Sequence, residues 1–327
     1  SFPGGANGGR WAPQNYDRRF YGPQTLRKGL ELSRNAMTVR LAQQVGMRNI
    51  SAAAEEFGVI DDMTPNLSMS LGAGETTPYK ITAAYAAFVN GGRRVDPYMI
   101  EMVQDRNGQT VHRADSRTCR GCNRGFDGSA SPRLPERGEQ IIDPITAYQI
   151  SSMLEGVVQR GTAARASSLG RWIGGKTGTT NEYRSAWFVG FTRDIVVGVF
   201  IGFDDNRPLG RGETGSTSAV PIFIDFMETA LKERPAREFE RPKNAVFRTV
   251  NGVEEAFRPG TERRIVERQQ QPIAVDRGPV SYNEVLRREA EIGRDTDGIP
   301  PPPPPPPQPE AAPPPRQAPA EDLTGLY

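Results

Sequence analysis

The hexapeptide Gly174-Gly175-Lys176-Thr177-Gly178-Thr179 lies where the chain changes from a helical to an extended pattern. Extended patterns run through 171–178, 185–191 and 195–203, and only short turns separate them. Extended runs that are joined by short turns pair as antiparallel neighbours. The sequence therefore predicts an antiparallel meander of three consecutive strands.

Apolar patterns around these strands predict the helices that cover them. The run 195–203 is apolar on both faces of a strand, so we expect helices on both sides of it. Residues 218–231 place Phe223, Phe226 and Met227 on one helical face and predict one of these helices. We therefore expect an α+β fold in which helices flank an antiparallel sheet.

Other helices are predicted upstream of the sheet from apolar spacing, caps and breakers. Thr77 and Asp143 are suited to the N-cap position, and each precedes a proline at the first helical position. The predicted helices are 25–32, 36–45, a short one that begins near Ser51, 78–89, and 144–160 before Gly161.

Composition limits the kinds of partner. Of 327 residues, 36% are apolar, 35 are Gly and 29 are Pro, which indicates a globular part joined to irregular stretches. The net charge is only +2, so we expect no nucleic-acid partner. No apolar run reaches the about 18 residues of a membrane helix, and the first residues lack an export-signal pattern, so we expect no membrane span in this chain.

Both cysteines of the chain, Cys119 and Cys122, form a single Cys-x-x-Cys pair in a Gly- and Arg-rich stretch. Redox-active pairs usually open a helix after a strand, and a zinc site needs a second pair of ligands. We interpret the pair as a local disulfide that clips a surface loop, which favours an oxidising compartment. With His112 the single histidine, we expect no metal site and no cofactor.

The end of the first predicted strand offers groups that suit an anionic ligand. Lys176 supplies a cation, Thr177 and Thr179 supply hydroxyls, and Gly178 has no side chain to keep a ligand from the backbone. A carboxylate suits this groove. An acyl carbonyl does too, because a backbone N–H at a strand edge stabilises a developing oxyanion. Taken alone, the same residues are also typical of a solvated turn with an incidental lysine.

A second polar motif, Ser33-Arg34-Asn35, lies between two predicted helices. If the turn is not helical, Ser33 and Asn35 face one cleft. There they offer a hydroxyl that relays protons and an amide that holds a carbonyl. The alternative is that Ser33 or Asn35 only caps the following helix.

Together, these two motifs resemble the second and third motifs of the serine transpeptidases and β-lactamases that acylate through Ser-x-x-Lys. The surrounding segments resemble, in the same order, the transpeptidase domain of bifunctional class A penicillin-binding proteins of the 1A type, over about residues 11–259. These segments are Trp11-Ala-Pro-Gln-Asn-Tyr16, Tyr21-Gly-Pro-Gln-Thr-Leu-Arg27, Leu32-Ser-Arg-Asn35, Ser70-Leu-Gly-Ala-Gly-Glu-Thr-Thr-Pro78, Thr82-Ala-Ala-Tyr85, Gly161-Thr-Ala163, Gly175-Lys-Thr-Gly-Thr-Thr-Asn181, Ala186-Trp-Phe-Val-Gly-Phe191 and Glu255-Ala-Phe-Arg-Pro-Gly-Thr261.

The resemblance implies a role for each matched site residue. Ser33 would relay a proton to the leaving group, and Asn35 would contact the substrate. Lys176 would place positive charge beside Ser33. Thr177 and Thr179 would hold the substrate carboxylate, and the Thr179 N–H would form half of an oxyanion hole.

The sequence departs from the family at the nucleophile. No serine is followed three places later by lysine, and in the family that motif lies upstream of the segment matched by Trp11–Tyr16. We therefore expect a domain that is incomplete on its N-terminal side. We also expect that this chain alone neither cross-links peptides nor is acylated by penicillin.

The expected organisation has three parts. A partial transpeptidase domain spans 1–235, with a hairpin-like excursion at 93–140 that carries the cysteine pair. A C-terminal extension follows at 236–295, and a disordered, proline-rich tail occupies 296–327.

Two features are predicted within the last two parts. Extended residues 246–250 and 255–257 would return to the edge of the main sheet. The capping box Ser281-Tyr-Asn-Glu284 predicts a short helix through Ala290, and Pro300–Pro307 predicts polyproline II structure.

For the whole protein, the resemblance implies a D-Ala-D-Ala transpeptidase that cross-links peptidoglycan stem peptides and binds β-lactams. It also implies a glycosyltransferase domain and a membrane helix upstream, a place on the periplasmic side of the bacterial inner membrane, and partners in cell-wall synthesis. One alternative is a non-catalytic binding or scaffolding module that keeps the groove. The other, a β-lactamase or β-lactam sensor, is disfavoured because the segments around Trp11 and Tyr21 resemble the synthetic enzymes.

Overall fold

The structure is a computed structural model that describes residues 2–3, 10–119, 121–125, 127–128, 131–132 and 134–262. All of these residues belong to one compact unit. Within them, no helix combines the length and the apolar character that crossing a membrane requires. The predicted helix after Ser281 and the predicted tail at 296–327 lie outside the described residues.

Nine strands and six α-helices are found in the described part of the chain. The strands are β1 (Phe2–Pro3), β2 (Arg10–Trp11), β3 (Met102–Gln104), β4 (Thr110–Arg113), β5 (Gly174–Thr179), β6 (Ser185–Phe191), β7 (Val196–Gly202), β8 (Val246–Val250) and β9 (Val253–Phe257). The helices are α1 (Leu26–Glu31), α2 (Asn35–Val45), α3 (Met47–Glu56), α4 (Pro78–Val89), α5 (Pro144–Arg160) and α6 (Val220–Ala230).

The main sheet is the predicted antiparallel meander, in the order β5-β6-β7. Lys176 pairs with Val189, and Val189 pairs with Gly198 on the next strand. Strand β5 is therefore an edge strand of this sheet, and it ends in the Lys176–Thr179 motif. The expected α+β class is confirmed.

Aromatic contacts fix helices on both faces of β6. Phe188 packs edge-to-face on Phe223 of α6, with ring centroids 4.9 Å apart. On the other face, Phe191 packs against Tyr85 of α4 at 6.4 Å. Because neighbouring side chains of a strand alternate between faces, these two pairs hold the sheet between α4 and α6.

Strand β7 is covered less completely than its sequence predicts. Val199 is buried, but Phe200 is 46% exposed and packs on Trp187, with ring centroids 4.6 Å apart. The expectation of full cover on both faces was wrong at this position. Since β7 is the other edge strand of the sheet, apolar residues there serve cross-strand packing as well as the core.

The predicted helix bounds agree closely with the structure except at α3, which begins at Met47 rather than near Ser51. Gly46 explains the difference. Its φ of +87° ends α2, and the same residue is the N-cap of α3. One glycine in a left-handed region thus joins two helices without a loop.

A buried ionic cluster joins α1, α5 and β9. Arg27 donates two hydrogen bonds to Glu255, of 2.5 and 2.6 Å, and Arg160 donates one of 2.6 Å to Glu31. Arg27 and Glu31 are both buried. The β8–β9 hairpin is consequently docked on α5 as a separate two-stranded sheet, so its predicted place at the edge of the main sheet was wrong.

The excursion at 93–140 is a short hairpin with irregular flanks. Its described ends meet in the bridge between Arg93 and Gln140, and β3 pairs antiparallel with β4. Cys119 and Cys122 form a disulfide with Cα atoms 5.5 Å apart. The pair closes a local loop, well separated along the chain from the Lys176 motif.

Glycines on α5 and just after it allow α1 to approach closely. A Cβ atom on Gly156 would overlap the Glu31 carboxylate, and one on Gly161 would overlap the Glu31 backbone carbonyl. The carboxylate can move with its side chain, but the carbonyl can move only with α1. Gly161 therefore sets the distance between the end of α5 and the end of α1.

We predict that Gly161→Ala destabilises the protein. The backbone shift that relieves the overlap should lower the free energy of unfolding by about 1–3 kcal/mol. Thermal unfolding would show this as a melting temperature lower by several degrees. Gly125→Ala is the control, because no heavy atom of the described residues lies within 4 Å of its Cβ position. Equal melting temperatures for the two variants would contradict the prediction.

Candidate active site

The candidate active site forms where the edge strand β5 meets the turn between α1 and α2. The Lys176 ammonium donates hydrogen bonds to Ser33 Oγ and to the Thr177 carbonyl, both 2.8 Å long. The two residues are 143 positions apart in the chain. This contact joins the two motifs that the sequence singled out.

The backbone at Ser33 explains how its hydroxyl reaches Lys176. The Ser33 N–H bonds to the Leu30 carbonyl, and the Arg34 N–H bonds to the Gly29 carbonyl. This is the Schellman arrangement that ends many helices, in which the residue at Ser33's place is usually glycine. Ser33 takes the left-handed conformation required there, with φ of +52°, although it has a side chain. Strain of this kind is concentrated at functional sites.

The structure does not support the simple N-cap interpretation of Ser33 or Asn35. Arg34 is the N-cap of α2 and makes no capping hydrogen bond with its side chain. Asn35 is the first residue of the helix, and its Nδ2 donates to the Gln14 carbonyl at 2.9 Å. Ser33 lies before the cap. Both side chains are thus available for contacts outside their own helix.

Charged and aromatic side chains from the segment before α1 stabilise the turn between α1 and α2. Arg34 donates a 2.8 Å hydrogen bond to Asp17, and its guanidinium lies 3.9 Å from the centre of the Tyr21 ring. The Tyr21 hydroxyl donates to the same carboxylate. These hydrogen bonds, first that of Tyr21 and then that of Arg34, lower the pKa of Asp17 to about 2. Asp17 is therefore ionised at neutral pH, as the contact with Arg34 requires.

The segment Trp11–Tyr16 wraps the same turn. Asn15 is buried; its Nδ2 donates to the Arg19 carbonyl at 2.6 Å, and its Oδ1 accepts from the Ala36 N–H at 3.3 Å. Next to it, the Tyr16 hydroxyl lies 3.2 Å from that of Tyr183, which follows β5. This hydrogen bond is the first cause of a raised Tyr16 pKa.

The two threonines of the Lys176–Thr179 motif have partners of their own. The Thr177 hydroxyl lies 2.7 Å from the Thr162 hydroxyl, and the Gly215 N–H donates to Thr179 Oγ1 at 3.1 Å. A Cβ atom on Gly215 would overlap the backbone of Gly178, so only glycine lets this segment lie against β5.

Burial determines the charge state of Lys176. Desolvation disfavours the ammonium form and lowers its pKa from 10.5 to about 8. At pH 7 most of the population still carries the charge. The cation therefore lies beside Ser33 in a partly desolvated place, where its field acts more strongly than it would in water.

The structure thus joins Ser33 to the Lys176–Thr179 motif, with Asn35 two residues after Ser33 at the start of α2, and it leaves the cysteine pair in the excursion. The chemical roles of Ser33, Asn35, Lys176, Thr177 and Thr179 stay predictions. Among the described residues, no group of three His, Cys, Asp or Glu side chains is placed to hold a metal ion.

Sequence reasoning missed the contacts of Asp17, Tyr21, Thr162 and Gly215. Tyr21 and Thr162 lie inside segments that match the family, but no local pattern showed which groups they would meet. Those contacts join residues that are far apart in the chain, which only the tertiary structure specifies.

Comparison with known proteins agrees with this fold. The family model described as penicillin binding protein transpeptidase domain matches residues 3–228. Penicillin-binding protein 1A of Rickettsia bellii is 45% identical over 244 residues, which are 74% of this chain and 31% of that protein. The same protein of Neisseria lactamica is 41% identical over 249 residues, 75% of this chain and 29% of the relative.

Solved structures show the same relationship. Penicillin-binding protein 1A of Haemophilus influenzae superposes with a TM-score of 0.66 and 33% identity, over 77% of this chain and 42% of that one. PonA1 of Mycobacterium tuberculosis, solved in complex with penicillin V, has the same fold, with a TM-score of 0.59, 22% identity, and 75% and 65% of the two chains covered.

The chain therefore belongs to the penicillin-binding protein transpeptidase domain family. Within the family, its curated relatives place it with the 1A type. The chain spans about a third of the length of these curated relatives.

We predict that Lys176 titrates near pH 8 in the folded chain. Between about pH 8 and pH 10.5, the ordinary pKa of lysine, the folded state has lost the Lys176 proton that the unfolded state still binds. Stability rises with pH where the unfolded state binds more protons, so Lys176 should make the free energy of unfolding rise over this interval. Below pH 8 both states are protonated, and its contribution is constant.

Nuclear magnetic resonance of isotopically methylated lysines would measure this titration, with Lys176→Met identifying the resonance. In Lys176→Met, the rise in unfolding free energy between pH 8 and 10.5 should be smaller than in the unaltered chain. A resonance that titrates at 10.5 would show that the ammonium is not desolvated.

Proposed function

We propose that this chain is the C-terminal part of a peptidoglycan D-Ala-D-Ala transpeptidase of the serine type. The observation that carries the proposal is the 2.8 Å hydrogen bond from Lys176 to Ser33 Oγ. It joins a cation, a proton-relaying hydroxyl and the edge of β5 in one place. Membership of the transpeptidase domain family gives the reaction class.

In the proposed reaction, a serine hydroxyl attacks the carbonyl carbon between the last two D-alanines of a stem peptide. The C–N bond breaks, and terminal D-alanine leaves with a proton that Ser33 passes to its amine nitrogen. An amine of a second stem peptide then attacks the acyl-enzyme ester. The new amide is the cross-link, and the serine oxygen regains its proton.

The residues of this chain bind and orient the substrate in these steps. Asn35, held by its bond to Gln14, directs its remaining amide groups toward the peptide backbone. Thr177 and Thr179 hold the terminal carboxylate, and the Thr179 N–H donates to the developing oxyanion. Lys176 favours Ser33 as a proton relay, because its charge stabilises negative charge on Ser33 Oγ.

The nucleophile is proposed to lie outside this chain, since no serine here is followed three places later by lysine. The chain by itself is then inactive, and it acts together with an upstream part of the same protein. The relatives named penicillin-binding protein 1A are about three times as long as the matched segment, which leaves room for such a part.

For the whole protein, we propose a bifunctional glycosyltransferase and transpeptidase that is anchored in the bacterial inner membrane and faces the periplasm. The Cys119–Cys122 disulfide supports an oxidising compartment. Other proteins of cell-wall synthesis are its proposed partners. The proposed organisation of this chain is a partial transpeptidase domain at 1–235, an extension at 236–295 and a tail at 296–327.

Binding of β-lactams is proposed from the same groove. The complex of PonA1 with penicillin V shows that a protein of this fold accommodates such a ligand. The carboxylate of a penicillin would occupy the place proposed for the terminal carboxylate of the stem peptide. The alternative of a non-catalytic binding module keeps this groove and differs only in having no nucleophile anywhere in the protein.

We predict that a reporter penicillin forms a covalent adduct with a form of the protein extended upstream to the first Ser-x-x-Lys, and not with the 327-residue chain. Intact-mass analysis measures both. In the extended form, Ser33→Ala should slow acylation by about 100-fold, the usual effect of losing one proton-transfer group.

Thr38→Val in the extended form is the control, because within the described residues its hydroxyl donates to the Arg34 backbone carbonyl and contacts neither Ser33 nor Lys176 through a hydrogen bond. It should be acylated at the unaltered rate. An adduct on the 327-residue chain would show that it has a nucleophile of its own. Absence of adduct on the extended form would favour the binding module.

A further inference from the structure

Thr162 joins the two sides of the site, the turn at Ser33 and strand β5, at a second point. It follows α5, and its N–H donates to the Glu31 carbonyl at 3.2 Å, two residues before Ser33. Its hydroxyl lies 2.7 Å from that of Thr177 on β5. One residue thus contacts both the segment of Ser33 and the strand of Lys176.

Counting protons shows which way the hydroxyl pair must point when an anion is bound. Each threonine hydroxyl has one proton and can accept as well as donate. If Thr177 donates its proton to an anion in the groove, that proton is no longer available to Thr162. The 2.7 Å contact then survives only if Thr162 donates and Thr177 accepts.

Thr179 is held in the same way by a different donor. The Gly215 N–H donates to Thr179 Oγ1 at 3.1 Å, and a backbone amide cannot reverse its direction. The proton of Thr179 is therefore not used in this contact. With Thr162 as donor on one side and Gly215 on the other, both threonine hydroxyls direct their protons to a third group.

We propose that Thr162 is a positioning residue that fixes Thr177 as a hydrogen-bond donor and so makes the groove selective for a carboxylate. The inference rests on the proposed function, which assigns Thr177 and Thr179 to the carboxylate of the substrate. A carboxylate only accepts hydrogen bonds, and ionised acceptors form stronger ones than neutral groups do. A terminal carboxamide gains less from the same two donors.

The surroundings of Thr162 keep its hydroxyl in place. The overlap that a Cβ on Gly161 would cause shows how closely this segment approaches Glu31. Ala163 after it is fully buried. Since its backbone is fixed on both sides, Thr162 presents the hydroxyl to Thr177 with little freedom to turn away.

The test is binding of N-acetyl-D-alanyl-D-alanine to the 327-residue chain, compared with the same dipeptide as its C-terminal amide. Shifts of the Thr177 and Thr179 backbone amides in nuclear magnetic resonance report binding without any acyl transfer. We expect the acid to bind more tightly than the amide in the unaltered chain.

Thr162→Val keeps the side-chain shape and the N–H contact with Glu31 but removes the donor. It should weaken binding of the acid by several-fold, up to about tenfold, the usual net effect of losing one hydrogen bond between neutral groups, and leave the amide unchanged. Thr162→Ser should bind the acid as the unaltered chain does. The matched control is Thr146→Val at the other end of α5, whose hydroxyl accepts from Arg258.

A double-mutant cycle with Thr177→Val tests whether Thr162 acts by positioning the Thr177 hydroxyl or by stabilising the site in general. If Thr162 acts through Thr177, then Thr162→Val has no further effect on acid binding in the Thr177→Val background. Should Thr162→Val fail to fold by circular dichroism, Thr162→Ala against Thr162→Ser makes the same comparison. These measurements require no nucleophile, so they stand whether or not the extended protein is acylated.

Three results would overturn the inference. The first is equal affinity of the unaltered chain for the acid and the amide. The second is unchanged acid binding in the variants without the hydroxyl. The third is an equal loss of affinity for both ligands, which would make Thr162 a merely structural residue.

Discussion

The geometry of the site depends on Glu31, a buried carboxylate between α1 and α5. Its side chain accepts from Arg160, and its backbone carbonyl accepts from the Thr162 N–H. A buried charge that loses its partner typically costs about 3–5 kcal/mol, so this arrangement resists rearrangement. Because Ser33 follows two residues later, the cluster that closes α1 on α5 also determines where the hydroxyl of Ser33 lies relative to β5.

Two unfavourable features meet at the hydrogen bond between Lys176 and Ser33. Ser33 has a left-handed backbone that would suit glycine better, and Lys176 is a cation in a place that lowers its pKa to about 8. Each is compensated by its surroundings. Asp17 and Tyr21 hold the turn through Arg34, and Ser33 and the Thr177 carbonyl accept from the ammonium. Stability is given up here to hold reactive groups in one geometry.

Most elements of the fold could be predicted from local sequence. Local signals act within a few residues and can therefore be identified in the sequence. They are the alternation of the three strands, the caps at Thr77 and Asp143, and the stop before Gly161. Two of the errors share one cause. The hairpin of 246–257 and the open face of β7 at Phe200 depend on what packs against them, and hydrophobic periodicity does not identify a partner.

For the site, the sequence by itself determined the residue types, their order and the family that they resemble. Ser33, Asn35 and Lys176 were identified because their motifs are short and contiguous. Only the tertiary structure decided which groups touch. The contact of Thr162 with Thr177, the approach of Gly215 to β5 and the left-handed turn at Ser33 arise from packing between distant segments. Hydrogen bonds between such segments leave no periodic pattern, because their partners are chosen by shape and distance in the folded state.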